Sequence, residues 1–229
     1  MVYSFLSGKG SQGKTVCAFN TIITWLKSNK GKTALALDID HKQASMARLR
    51  EFREKRELEP MFDYMAIADG KSLEAQLPRL SEQYDLVVID GKPIYEDIVD
   101  VAIAYSDTVI VPVMAGGLEY FANTEMVGKI LEVQSVRDDL NAAFLLTRHN
   151  PRLKLSKKIT SILGRQGLPV LEAYTSNRVA YSESSLLGKS IVEYMHKAAR
   201  EEWMRVYGEI VGLNSASAGG QETLETATA

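Results

Sequence analysis

The sequence predicts an α/β fold, a mostly parallel β-sheet flanked by helices on both faces. Three observations carry that expectation. Short apolar, β-rich runs alternate with longer amphipathic ones along the 229 residues. One run, Leu86-Val87-Val88-Ile89, is continuously apolar up to the carboxylate of Asp90, as in a strand buried on both faces. A glycine-rich stretch, Ser7–Thr15 (SGKGSQGKT), lies between a β-rich run and a helical one. Strand–helix alternation of this kind implies parallel strands joined by right-handed crossovers.

In chain order, Val2–Leu6 forms the first strand and stops at the glycine loop. Val16–Lys27 places Phe19, Ile22, Ile23 and Leu26 at helical spacing. Asn29-Lys30-Gly31-Lys32 ends that helix, because glycine accepts the left-handed conformation after a helix terminus. Thr33–Ile39 is the next strand, and residues 45–57 read as an exposed, highly charged helix. Leu86–Asp90, Thr108–Met114 and Ala142–Thr147 are further strands, with helices at Ile94–Tyr105 and Tyr120–Val136 between them. Pro169-Val170-Leu171 adds a short strand. Leu153–Leu163 is a candidate helix, and Arg178–Leu187 and Glu193–Val211 close the chain, the last packing Trp203, Val206, Tyr207 and Ile210. One domain is expected over residues 1–213. Residues 214–229 (NSASAGGQETLETATA) carry too little apolar surface to offset their ordering entropy and are expected to be a disordered polar tail.

Composition narrows the function classes. Hydrophobic residues at 45% and charged residues at 24% fit a soluble domain with a real core. A net charge of −2 excludes a globally basic nucleic-acid binder, so any basic site must be local. The single cysteine, Cys17, can form neither an internal disulfide nor a cysteine-bound metal cluster, and a cytoplasmic setting is expected. No apolar run approaches the ~20 residues that span a bilayer, and the N-terminus lacks the features of a signal peptide. His41, His149 and His196 are scattered and read as surface or structural residues.

Residues 8–15 fit G-x-x-x-x-G-K-[ST], a phosphate-binding loop, with the required strand before and helix after. Small residues let backbone N–H groups close around phosphate oxygens, and the helix N-terminus adds its positive dipole end. Lys14 is placed to reach the β- and γ-phosphates and the Thr15 hydroxyl to bind Mg²⁺. The plain alternative is a glycine-rich turn with a solvated lysine. Phosphoryl chemistry also needs a carboxylate at a buried strand end, which Asp90 supplies. Asp38 and Asp40 end another strand near the same carboxyl edge, where ligands of open α/β sheets bind. Taken singly, either could be a turn residue or a helix cap.

Lys9-Gly10-Ser11-Gln12-Gly13-Lys14-Thr15 resembles the deviant Walker A motif, K-G-G-x-G-K-[ST], of the ParA/MinD ATPases. Ala36-Leu37-Asp38-Ile39-Asp40 is similar to the switch I strand of that family, and Val87-Val88-Ile89-Asp90-Gly91 to its Walker B strand. Asp107–Val113 with Leu118-Glu119, Phe144-Leu145-Leu146-Thr147-Arg148 and Asn177-Arg178-Val179-Ala180-Tyr181 resemble later stretches of the short, ParF-like partition ATPases. The resemblance implies a P-loop NTPase of the deviant Walker A type that uses ATP and Mg²⁺. It gives Lys9, Lys14 and Asp40 catalytic roles, Lys9 by reaching across an ATP-dependent homodimer to phosphates held by the other subunit, and Asp40 by positioning the attacking water. Gly10, Ser11, Gln12, Gly13, Lys14, Thr15 and Val16, with Thr147 and Arg148, would hold the nucleotide. Thr15, Asp40 and Asp90 would serve the metal. Three departures stand out: Ser11 replaces a glycine, His41-Lys42-Gln43 follows Asp40 where the family has Pro-Gln, and the usual proline after Val113 is missing. They are compatible with nucleotide binding and very slow hydrolysis. A single cysteine argues against the nitrogenase iron protein branch, whose cluster needs two per subunit.

Between Asp139 and Glu172 there is no acidic residue, while Arg148, Arg152, Lys154, Lys157, Lys158 and Arg165 fall in the interval. On a helix, Lys154, Lys157 and Lys158 share a face that would attract a phosphate backbone without reading sequence. A solvated helix face is the plain alternative. The family binds nonspecific DNA through basic residues of its C-terminal half, so the resemblance implies DNA contact by Arg152, Lys154, Lys157, Lys158 and Arg165, with Lys189 as a weaker addition. The implied function is plasmid DNA partition: a nucleoid-associated ATPase stimulated by a centromere-binding ParB-type adaptor. A conjugative DNA-transfer role like that of the VirC/Stb relatives stays open, as does a nucleotide-dependent adaptor with negligible hydrolysis. Membrane binding is not expected, because Glu201, Glu202 and Glu209 occupy the last helix where a basic amphipathic face would be needed.

Overall fold

The computed structural model describes residues 1–40, 43–92, 96–114, 123–152 and 154–225. Six strands, β1 (Val2–Phe5), β2 (Ala34–Asp38), β3 (Asp63–Ala66), β4 (Leu86–Asp90), β5 (Thr108–Met114) and β6 (Asn141–Thr147), form one parallel sheet in the order β3-β2-β4-β1-β5-β6. The helices among the described residues are α1 (Lys14–Ser28), α2 (Ser45–Glu54), α3 (Gly70–Gln83), α4 (Asp97–Tyr105), α5 (Thr124–Gln134), α6 (Lys154–Gly164), α7 (Val179–Leu186) and α8 (Lys197–Glu225).

Alternation along each strand sorts the core into two layers, since neighbouring side chains point to opposite faces. Tyr3, Phe5, Ala36, Val88, Ile110 and Leu145 pack under α1, α2, α7 and α8. Val2, Leu35, Leu37, Val87, Ile89 and Val109 pack under α3, α4, α5 and α6. Both faces are therefore covered, which explains why the central strands read as unbroken apolar runs. Each large apolar side chain buried this way contributes ~1.5–3 kcal/mol. The register sets Asp38 beside Asp90 and Asp90 beside Phe5, so the acidic strand ends share one edge.

Several elements differ from the sequence expectation. β3 and α3 are not among the expected elements, although α3 places its buried Leu73, Leu77 and Leu80 at helical spacing. β3 is a four-residue edge strand with exposed or half-buried side chains, and α3 contains Pro78. Its start is nevertheless capped, with the Asp69 carboxylate accepting from Ser72 N–H at 2.9 Å. The segment Pro169–Leu171 makes only an isolated parallel bridge to Phe144 through Val170. The charged helix ends at Glu54, and one face is buried: Met46, Leu49 and Arg53 lie in the interior. Arg53 is fully buried where Glu193 pairs with its guanidinium at 2.7 Å and the carbonyls of Gly188 and Pro60 each accept from it at 2.9 Å, while its Nε has no partner among the described residues. The closing helix begins at Lys197, after a 3-10 turn at Ile191–Glu193 capped by Ser190. It runs to Glu225, into the segment expected to be a tail. Asn214, the first residue of that segment, donates to the Tyr3 hydroxyl at 2.8 Å and accepts from Thr108. His41, Lys42, the helix start at Ile94, Leu118-Glu119, Tyr120, Leu153 and residues 226–229 lie outside the described residues, as do the side chains of 154–157 and 215–225.

Candidate functional site

The loop between β1 and α1 closes on itself through its own polar groups. The Lys14 ammonium is buried and donates to the Ser7 hydroxyl at 3.0 Å and the Lys9 carbonyl at 3.1 Å. The Ser7 hydroxyl donates to the Lys9 carbonyl at 2.9 Å. The loop is also tied to its neighbours. Gly8 N–H donates to Asn123 Oδ1 at 2.8 Å, Gln12 Oε1 accepts from Met114 N–H at 2.6 Å, and the Thr147 hydroxyl donates to the Gln12 carbonyl at 2.9 Å. Gly13 adopts φ 89°, a left-handed conformation suited to glycine. Ser11 adopts φ 62°, so the residue that replaces the second glycine of the motif sits in the conformation that glycine tolerates best.

Three carboxylates face this loop. Asp38 and Asp90 are almost wholly buried, 1% and 2% exposed, and Asp40 is half-buried. Asp38 Oδ1 accepts from Asp40 N–H at 2.8 Å, and its Oδ2 accepts from the Tyr64 hydroxyl at 3.2 Å. The Thr15 hydroxyl hydrogen-bonds Asp90, whose Oδ1 is buried without a partner among the described residues. Burial first, and then the neighbouring Asp38 charge, push the Asp90 carboxyl up to about 8. Burial pulls the Lys14 ammonium below its ordinary range, partly offset by Asp90 and Asp40. Burial and Asp38 push the Tyr64 hydroxyl up to about 12, which keeps it a neutral donor.

A cleft lies over the loop in two joined parts. The first, about 260 Å³, is lined by Gly10 to Val16, Asp40, Gln43, Ser45, Gly91 and Arg148. The second, about 190 Å³, shares Gly13, Val16 and Arg148 with the first and continues between Thr147, the turn Thr175–Arg178, Tyr181 and Trp203. The first part has the polar lining a polyphosphate needs. The second is flatter in polarity, with Val16, Cys17, Val179 and Trp203 among its walls, as a purine base requires. Burial pushes the Cys17 thiol up to about 12, so it packs there as a neutral apolar group.

Among the described residues no cluster of three or more His, Cys, Asp or Glu side chains is arranged to hold a metal by itself. The donor set still fits Mg²⁺, which keeps several waters and binds through one or two protein oxygens plus phosphates. Thr15 and the half-satisfied Asp90 would supply those oxygens, with Asp40 at the rim of the cleft.

Most residues singled out in the sequence thus meet at one sheet edge: Gly10 to Val16, Asp40, Asp90, Thr147 and Arg148. Lys9 is exposed beside them. The basic residues do not all share a surface. Arg152, Lys158 and Arg165 are exposed on or beside α6, and Lys154 and Lys157 belong to that helix. Lys189 follows α7 on the opposite face of the sheet. Sequence reasoning missed Tyr64, Asn123 and the base-side turn at Thr175–Ser176. Tyr64 lies in the weakly patterned edge strand, and Asn123 acts through one polar contact that leaves no periodic trace.

A parallel sheet with a glycine loop feeding a helix, a buried lysine in that loop and carboxylates at the adjoining strand ends mark the fold as that of the P-loop nucleoside triphosphatases. An AAA domain family profile matches residues 57–146. Maintenance of carboxysome distribution protein A of Halothiobacillus neapolitanus is 22% identical over 213 residues, covering 85% of this chain and 97% of that protein. The chromosome-partitioning ATPase Soj of Thermus thermophilus is 26% identical over 216 residues, covering 81% and 85%. The septum site-determining protein MinD of Pyrococcus horikoshii, solved with Mg-ADP, superposes with a TM-score of 0.72 at 17% identity, over 94% of this chain and 98% of that one. The chain thus has the fold of MinD, and its sequence is similar to those of the carboxysome-distribution protein and the chromosome-partitioning ATPase.

Proposed function

We propose that the protein is a slow, partner-stimulated, Mg²⁺-dependent ATPase that segregates DNA, a plasmid being its expected cargo. The observation that carries the reading is the division of labour between two loop lysines. Lys14 is buried within the loop, while Lys9 is exposed at its rim and holds Lys14 through its carbonyl. An exposed cation at the edge of a phosphate site supports a role at a second copy of that site. Delivered in trans, it stabilises phosphate charge and makes dimerisation depend on ATP.

In this reading the backbone of Gly10 to Val16 cradles the phosphates, and Lys14 neutralises the β- and γ-oxygens. Thr15 and Asp90 would hold Mg²⁺, which would supply positive charge against the triphosphate. Asp40, with its N–H fixed by Asp38, orients the attacking water. Catalysis of phosphoryl transfer is then mostly positional and electrostatic. The exposed Arg152, Lys158 and Arg165, with Lys154 and Lys157 of the same helix, serve nonspecific DNA, and a ParB-type adaptor on the cargo stimulates hydrolysis. Sizing wild type and Lys9→Ala with ATP, ADP and no nucleotide tests the core of the proposal. An ATP-dependent dimer lost in Lys9→Ala is expected; monomers throughout would refute the trans role.

A second reading of the cargo is favoured by the relative whose name assigns it to carboxysome distribution, matched over 97% of its length. The same ATPase cycle would then position a protein assembly on nucleoid DNA. Identifying what co-purifies with an ATP-trapped dimer separates a DNA site from a protein body. The strained φ of Ser11 keeps open the adaptor with negligible turnover, which phosphate release with and without DNA decides.

A further inference from the structure

The base-side part of the cleft is walled by the turn Thr175–Arg178 and the start of α7. A turn presents backbone polar groups and keeps one shape only if they are bound from outside. Two elements bind this one. On one side, β6 and its end hold it: Thr175 N–H donates to the Leu146 carbonyl at 3.0 Å, and His149 N–H donates to the Thr175 carbonyl at 2.7 Å. On the other side stands Glu202 of α8, 4% exposed. Its Oε1 accepts from Ser176 N–H at 2.7 Å and the Tyr181 hydroxyl at 3.0 Å. Its Oε2 accepts from the Ser176 hydroxyl at 2.6 Å and Arg178 Nε at 3.2 Å. A buried carboxylate is costly unless its oxygens are filled, and here four donors fill them. Ser176, Arg178 and Tyr181 all line the cavity, while Glu202 does not.

The geometry points to Glu202 as a positioning residue for the base of the bound nucleotide: it fixes the wall against which the base packs and touches no ligand itself. This inference rests on the reading of the cleft as a nucleotide site. The phosphate loop hangs on other partners, Ser7, Asn123 and Thr147. Loss of Glu202 therefore loosens the base side and leaves the phosphate side intact.

The test compares the affinity of ATP with that of inorganic tripolyphosphate, both with Mg²⁺, by calorimetry on wild type and Glu202→Gln. Glutamine keeps the shape but turns an amide towards groups that donate. ATP affinity is expected to fall about tenfold, with tripolyphosphate affinity unchanged within about twofold. An equal fall for both ligands, or no fall for either, overturns the assignment. If wild type binds neither ligand, the nucleotide reading itself fails and takes this inference with it. Should Glu202→Gln fail to fold, Ser176→Ala removes one donor and leaves the charge. It should lower the ATP-to-tripolyphosphate ratio about threefold, and an unchanged ratio overturns the assignment.

Discussion

Replacing Asp90 by asparagine should stabilise the nucleotide-free protein at alkaline pH and leave it unchanged in acid. The Asp90 carboxyl is held at about 8 where an ordinary aspartate titrates at 3.8, chiefly by burial and then by the adjacent Asp38. A carboxyl that keeps its proton more tightly folded than unfolded weakens the fold as pH rises between those two values. Below about pH 4 both states are protonated and the penalty is absent. Each pH unit in the window is worth about 1.4 kcal/mol, which sets a ceiling of about 6 kcal/mol above pH 8. Relaxation and solvent entry around a buried ion bring the realised penalty to about 3 kcal/mol. The asparagine amide carries no such charge, so Asp90→Asn should exceed wild type by about 3 kcal/mol at about pH 8.5, and the gap should close by about pH 4.5. Urea unfolding followed by circular dichroism, without Mg²⁺ or nucleotide, measures the gap across the range. His149, whose imidazole burial pulls down, is common to both proteins and drops out of the difference. A gap that does not change with pH, or an Asp90→Asn protein that is weaker at high pH, would refute the claim that Asp90 bears uncompensated charge.

Glu193→Ala leaves the fully buried Arg53 guanidinium without its carboxylate, at a cost of about 3–5 kcal/mol in urea unfolding. The double variant with Arg53→Met should recover more than half of that loss. Ser11→Gly relieves a left-handed serine at φ 62° and, after the added freedom of the unfolded chain, should raise stability by about 0.5 kcal/mol in thermal unfolding. Gly91→Ala would set a Cβ 2.6 Å from both the Phe5 carbonyl and Leu6 Cδ2. The Phe5 carbonyl cannot yield, because it accepts from Gly91 N–H at 3.0 Å, so a loss of about 2–3 kcal/mol is expected, with weaker nucleotide binding by calorimetry.

Much of the fold was legible because its strands are buried on both faces. Leu86–Asp90 and Thr108–Met114 carry their burial in their composition, and they form over the residues the apolar runs mark. The edge strand Asp63–Ala66 was not legible, since an exposed edge needs no apolar run and its one functional side chain, Tyr64, acts by a single hydroxyl. Helix α2 misled for a related reason. Its composition is that of a solvated helix, yet Arg53 is buried because its partner stands 140 residues away, at Glu193. Pairings of such separation leave no local trace. The site followed the same rule. The phosphate loop, Asp90 and the Asp38–Asp40 pair announce themselves by spacing, whereas Glu202 read as a surface charge arguing against a membrane and instead sits buried behind the base-side wall.

A loop that binds anions must turn its N–H groups towards the ligand, and its carbonyls then need partners within the protein. Here those partners are present. The Lys9 carbonyl takes the Ser7 hydroxyl and the Lys14 ammonium, and the Gly10 carbonyl takes the Gln12 amide at 3.4 Å. The Gln12 carbonyl takes the Thr147 hydroxyl, and the Gly13 carbonyl takes Cys17 N–H at 2.9 Å. Little of the loop's shape is therefore left for the ligand to impose. What the ligand does supply is charge. Lys14 is held by two neutral acceptors and pulled below its ordinary range, while Asp90 is pushed above its own, and a triphosphate with its dication gives each the opposite charge it lacks. Geometry is set in advance by hydrogen bonds within the protein, and the electrostatic balance is completed on binding. For that reason a glycine replaced by serine at position 11 can disturb the rate of hydrolysis more than the capacity to bind.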